Sequence, residues 1–192
     1  MTNESVITKR IAESIDTKSK LLNDSVLIEK ISGVVDCCVK AYQLDKKILF
    51  CGNGGSAGDA QHIAAELSGR FYKNRAPLYA EALHVNSSYL TAVANDFGYD
   101  EVYARMVQAA GREGDILFAI STSGNSPNVL RAIEQALVQG MTVVAMTGDT
   151  GGKMAHIADF LLNMPSNDTP RIQECHILVG HILCELIEER LF

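Results

Sequence analysis

The chain has 192 residues, 47% of them hydrophobic and 21% charged, and a net charge of −6. That length supports one buried core in a domain of ordinary size, and the balance is that of a globular protein. The negative charge excludes a general nucleic-acid binder, which needs pooled positive charge to release counterions, but not a small phosphorylated ligand that needs only a few aimed N–H groups.

The first residues, from Met1 to Ser5, lack the basic start and apolar core of a secretory signal. No run of about 18 apolar residues follows, so no membrane span is expected. Ile7, Ile11 and Ile15 recur every four residues, and Leu27, Ile31, Val34 and Cys38 at three and four. These are one-face helical patterns, separated by the breaker and N-cap chemistry of Asn23-Asp24-Ser25. After Lys46-Lys47 the pattern changes, and short apolar runs alternate with helical stretches. The predicted strands are 48–51, 79–83, 116–120, 141–146 and 160–162; the predicted helices are 56–68, 127–138 and 169–191. Continuously apolar strands separated by helices imply a parallel sheet covered on both faces. The expected fold class is α/β, an open doubly wound parallel five-stranded sheet of flavodoxin-like kind. Residues 1–44 form an added N-terminal helical pair and residues 45–192 the α/β core, all in one domain. The five cysteines (Cys37, Cys38, Cys51, Cys175, Cys184) show no C-x-x-C spacing, which reads as reduced, mostly buried thiols and a cytoplasmic location.

In such sheets ligands bind outside the carboxyl ends of the strands. Two loops there are rich in Gly and Ser. The loop Ser121-Thr122-Ser123-Gly124-Asn125-Ser126 precedes Pro127, which suits the first helical position, with Ser126 as N-cap. Four hydroxyls and an unpaired helix start would hold a phosphate monoester. No Walker Gly-Lys-Ser follows, so this is no nucleotide P-loop. The plain alternative is a polar turn with a capped helix. The loop Gly52-Asn53-Gly54-Gly55-Ser56 is not G-x-G-x-x-G, but its glycines allow close backbone approach and Asn53 and Ser56 add donors.

His62 and Glu66 stand four apart on one helical face. Gln173, His176 and His181 interrupt an otherwise apolar final helix, with Gln173 and His181 about 80° apart around its axis. Such a face is either a buried hydrogen-bonded set or a ligand set, and His, Glu, His and a Gln oxygen would suit zinc or a similar divalent ion. A lone His on an apolar helix is more often a satisfied core residue. His176 is the weaker ligand candidate and could point into a subunit contact; His84 and His156 read as structural or surface residues.

The blocks Cys51–Arg70 (CGNGGSAGDAQHIAAELSGR), Asn95–Tyr99 (NDFGY), Ser121–Ser126 (STSGNS), Thr147-Gly148 with Gly151–Met154 (GGKM), and Arg171–His176 (RIQECH) together resemble the phosphoheptose isomerase family of SIS-domain proteins. The likeness runs in order from about residue 45 to the end. It implies an aldose–ketose isomerase that interconverts sedoheptulose 7-phosphate and D-glycero-D-manno-heptose 7-phosphate in heptose biosynthesis. By position it implies that His62, Glu66, Gln173 and His181 hold one zinc ion per subunit. Ser121, Thr122, Ser123 and Ser126 would hold the phosphate. Asn53, Gly54, Gly55, Asn95 and Asp96 would contact the sugar, with Ser56, Arg70, Glu66 and Gln173 also at the substrate. Glu66 and His181 would exchange the protons, and homotetramers would carry active sites between subunits. Two places depart from the family pattern. Pro170 stands where some members have Asp before the R-I-Q-E block, preceded here by Asp168 and Thr169. The run His84-Val85-Asn86-Ser87-Ser88 replaces T-T-D-T-S. The alternatives are an isomerase for another sugar phosphate, such as a pentose, and a non-catalytic SIS binding protein of the kind that binds DnaA. Relatives of that last kind lose the acidic residue that Glu66 retains.

Overall fold

The structure is a computed structural model and describes residues 2–192. Helices α1 (Asn3–Leu22) and α2 (Ser25–Gln43) meet at the predicted boundary. There the Asp24 side chain accepts from the Leu27 N–H at 2.9 Å and caps α2. The predicted stripe Leu27, Ile31, Val34 and Cys38 is buried. The α1 stripe is not: Ile7, Ile11 and Ile15 remain 57%, 57% and 61% exposed.

Five strands follow: β1 (Ile48–Gly52), β2 (Ala80–Ala82), β3 (Ile116–Ser121), β4 (Thr142–Thr147) and β5 (Phe160–Asn163). All pair in parallel, in the order β2-β1-β3-β4-β5. Side chains alternate between two apolar layers, as the two-residue strand period requires. Ile48, Phe50, Ile116, Phe118, Val144 and Met146 face α2, α3 (Gly55–Ser68) and α7 (Thr169–Leu191). Leu49, Cys51, Leu117, Ala119, Val143 and Ala145 face the opposite layer, with α5 (Val102–Ala110) and α6 (Pro127–Val138). All five cysteines are free thiols, four of them buried.

Two helices lie where the apolar pattern showed none, α4 (Ser87–Phe97) and α5. The reason is physical: α4 has a helical stripe (Tyr89, Leu90, Val93 and Ala94 against the core) but spans only eleven residues, and α5 only nine, which is short for periodicity to decide. Asn86 is the N-cap of α4, accepting from the Tyr89 N–H at 3.0 Å, and this gives the departure at 84–88 a structural role.

The chain leaves β1 toward β2 on one side and returns past it to β3 on the other. The strand order therefore reverses between β1 and β3, where open α/β sheets bind ligands. Both Gly/Ser loops emerge there. Among the described residues no helix is long and apolar enough to cross a membrane.

Candidate active site

The β1–α3 loop turns on Gly54, whose φ of +56° is open to glycine and strained for other residues. Asn53 and the buried Asn128 of α6 exchange amide hydrogen bonds at 2.8 and 2.9 Å, tying the two strand-end loops together. The Tyr99 hydroxyl donates to Asn53 Oδ1 at 3.3 Å, and the buried Tyr103 hydroxyl donates to the Gly52 carbonyl. The Asn53 side chain, expected on the sugar, also latches the two loops together. Ser56 is buried behind the loop. Asn95 and Asp96 are exposed at the end of α4, bonded to each other at 2.8 Å.

The β3–α6 loop gathers its hydroxyls. Ser121 Oγ lies 3.0 Å from Ser126 Oγ and 3.4 Å from Ser123 Oγ. Ser126 holds the N-cap position, but its hydroxyl turns to Ser121 instead of capping, so the first N–H groups of α6 keep no side-chain partner. The segment 148–154 backs this loop. Gly148 N–H donates to Thr122 O at 3.0 Å, Met154 N–H to Gly124 O at 3.1 Å, and Lys153 N–H to Asn125 Oδ1 at 3.0 Å. A Cβ on Gly148 would lie 2.7 Å from Thr122 O, and one on Gly152 2.5 Å from Ser123 O. The Gly-Gly-Lys-Met block is therefore the backing surface that holds the hydroxyl loop in shape.

A second group forms between α3 and α7. His62 Nε2 lies 3.2 Å from Glu66 Oε1 and 3.2 Å from His181 Nε2. One ligand atom from each of the three lies within 4.8 Å of the others. Gly180 lets the helices meet, because a Cβ there would press on Ile63. Zinc bonds of about 2.0–2.2 Å set tetrahedral ligand–ligand edges of roughly 3.3–3.6 Å, and the observed pairs are of nearly that size. Two imidazole nitrogens and one carboxylate oxygen, converging and partly open to solvent, fit a borderline divalent ion with a free coordination position. One turn earlier on the same face, Asp59 holds a buried Oδ2 without a hydrogen-bond partner. Burial pushes its carboxyl up to about 6, with His62 pulling weakly the other way.

Within one chain Gln173, expected as the fourth ligand, does not lie beside these three. Its amide packs against Gly55, where a Cβ would overlap it, eight residues and about 12 Å along α7 from His181. It stands instead beside the β1–α3 loop. Glu66 is likewise eleven residues and about 16 Å along α3 from Gly55. The hydroxyl loop and the His62–Glu66–His181 group therefore sit at opposite ends of α3 within one chain. Arg70 is exposed beyond the end of α3, on the side of the histidine–carboxylate group.

His176 does not face a subunit contact. It is fully buried between α7 and β4, with Nε2 3.1 Å from the Thr147 carbonyl and Nδ1 unpartnered. Burial lowers its pKa to about 4, with the Thr147 bond opposing. Between pH 6.5 and 4 the unfolded chain takes up a proton that the folded chain refuses, so this residue's contribution to stability falls as pH drops through that window. Asp59 acts in the opposite sense there, since its raised carboxyl favours the folded form at lower pH. A comparison with His176→Gln isolates the histidine. In denaturant unfolding between pH 7 and 4, the native chain should lose on the order of 3 kcal/mol more than the variant. Equal losses would contradict the assignment.

Sequence reasoning missed Asn128, Tyr99, Tyr103, and the buried pair Arg75 and Glu188. Glu188 alone carried a signal, as a charge on the buried face of α7 with Gly180 and Cys184 at four-residue steps before it.

The family model for the SIS domain matches residues 11–148. The chain is 55% identical over 180 residues to the phosphoheptose isomerase of Mycobacterium tuberculosis, covering 94% of this chain and 92% of that protein. Among solved structures, a phosphoheptose isomerase from Neisseria gonorrhoeae superposes with a TM-score of 0.92 at 43% identity, covering 98% of this chain and 100% of that one. One from Francisella tularensis superposes with a TM-score of 0.95 at 37% identity, with the same coverage.

Proposed function

The chain belongs to the SIS-domain family and, within it, to the phosphoheptose isomerases, and from that membership we propose that it interconverts sedoheptulose 7-phosphate and D-glycero-D-manno-heptose 7-phosphate. The observation that carries this to the present residues is the convergence of His62, Glu66 and His181 at 3.2 Å spacings. A protein that only bound sugar phosphates would not need that acid–base set, so the non-catalytic reading is not favoured.

In the ketose-to-aldose direction one proton leaves C1, one is delivered to C2, and the hydroxyl proton moves from O1 to O2 through an enediol. Atoms and electrons balance without a redox partner. Glu66 and His181 exchange these protons, with His62 orienting the carboxylate. A zinc ion held by His62, Glu66 and His181, with Gln173 as the fourth ligand that the resemblance implies, would supply stabilisation of the developing oxyanion.

The hydroxyl loop binds the phosphate, and remote binding of that kind orients the reacting carbons. An extended heptose 7-phosphate reaches roughly 10 Å from C1 to phosphorus, at about 1.2 Å per bond. That is shorter than the roughly 16 Å from Gly55 to Glu66 along α3, which favours a site in which the loop of one copy serves the Glu66 of another. The mismatch supports a homotetramer whose sites combine the loop of one copy with the acid–base group of another. The exposed Ile7, Ile11 and Ile15 stripe supports the same assembly. So does the apolar groove lined by Leu21, Leu22, Ile28, Leu178, Ile182 and Leu186. Free buried thiols suit the reducing cytoplasm.

Ser123→Ala tests the phosphate assignment. Loss of one hydroxyl to a dianion should raise KM about tenfold while stability changes by less than about 0.5 kcal/mol. Steady-state kinetics and a thermal melt measure both, and an unchanged KM would count against the loop.

A further inference from the structure

The segment that leaves α3 is held by one buried ion pair. Glu188 of α7 and the Arg75 side chain are each 1% exposed and meet at 2.8 Å. The Glu188 carboxylate also accepts from the N–H groups of Phe71 (3.1 Å) and Tyr72 (2.8 Å), and from that of Lys73. The Arg75 guanidinium donates to the carbonyls of Glu66 (3.0 Å), Leu67 (2.7 Å), Gly69 (3.3 Å) and Ala76 (3.0 Å). One cation therefore gathers carbonyls from the last turn of α3 and the segment after it, including that of Glu66 itself. The folded-back segment sets the Phe71 ring 5.8 Å from the His181 ring, at 30° to it.

A buried ion pair is a poor device for stability alone, since well-packed apolar residues often do as well or better. A planar fork with several donors and a carboxylate with several acceptor sites are good devices for fixing geometry. We propose that Arg75 and Glu188 are positioning residues for the isomerisation: together they fix the backbone of Glu66 and, through Phe71, the ring of His181. The inference rests on the isomerase reading for its chemical consequence, while its geometric content stands apart from it.

The test uses the full chain with Glu188→Gln, Phe71→Leu and Phe71→Tyr. Assays run below each variant's melting temperature, with protection by inorganic phosphate as the check that the distant hydroxyl loop is intact. Glu188→Gln and Phe71→Leu should lower kcat by about tenfold or more, because small misplacements of reacting groups are costly. KM should change by less than about twofold, since binding at the phosphate loop is untouched. Phe71→Tyr, which keeps the ring, should restore kcat. The His181 ring-proton resonances should shift in both damaged variants and return in Phe71→Tyr. Folded variants with native kcat and unmoved His181 resonances would overturn the proposal. Should Glu188→Gln fail to fold, Arg75→Lys, which keeps the charge but loses the planar fork, takes its place with the same expected loss of kcat and shift of the His181 resonances. An inactive native protein would overturn the isomerase reading instead, and the His181 resonances would still decide the positioning.

Discussion

Replacing Glu66 with Gln is expected to lower kcat by about a thousandfold or more, within the range that positioned acid–base groups contribute. The amide keeps the shape of the side chain but can neither accept a proton nor give a divalent ion an anionic ligand. The fold should survive, because the Glu66 side chain is 28% exposed and its one side-chain partner is His62. Gln is also as good a helix former as Glu. One carboxylate cannot be fully both ligand and base, since ligation lowers basicity. An ion at this site would have to be held loosely by Glu66 for the carboxylate to act as the base. Kinetics with sedoheptulose 7-phosphate, paired with circular dichroism melts, measure both halves. Full activity in a folded variant would remove Glu66 from the chemistry.

Gly124→Ala should be the most damaging change to binding. Gly124 has φ of +64°, where an L side chain is strained, and its Cβ would crowd the Gly151 carbonyl and lie 2.9 Å from the Gly152 nitrogen. Both are backbone atoms that cannot rotate away. The hydroxyl loop must then lift from its backing segment, losing the Met154 N–H to Gly124 O bond and the convergence of Ser121, Ser123 and Ser126. A cost of about 2 kcal/mol or more in phosphate binding corresponds to a KM raised roughly 30-fold. Protection of the fold by inorganic phosphate should disappear with it. A native KM in this variant would show that the loop's shape is not what holds the substrate.

Much of this molecule could be read from its residues. Four of the five parallel strands announced themselves as nearly continuous apolar runs, because a sheet covered on both faces needs no polar side; the edge strand β2 carries Glu81 at its centre. His62 and Glu66 could be paired because spacing within one helix is geometry. Pairing them with His181 needed the resemblance, since nothing in linear spacing brings α7 against α3 over Gly180. Gln173 was assigned to the metal by family position; within one chain it stands beside the β1–α3 loop, two turns of α7 from His181, so its place at the metal depends on a neighbouring copy. The helices between residues 84 and 115 were missed because each is short, eleven and nine residues, so their helical stripes span too few turns to stand out. The buried stripe of α2 was legible. The stripe of α1 was legible as a helix, but its exposure could not be foreseen from periodicity, which does not say which surface a stripe meets. Arg75 gave no sign, because its role lies in backbone carbonyls that only the fold assembles.

The measurement that bears most directly on the central claim is conversion of sedoheptulose 7-phosphate by the purified protein, followed by NMR with and without a chelator and with zinc restored. Aldoheptose 7-phosphate should accumulate in buffer, stop accumulating with chelator and return with added zinc. Conversion indifferent to the chelator would keep the isomerase and contradict the zinc. No conversion under any of these conditions, in a protein that still binds the sugar phosphate, would contradict the isomerase itself.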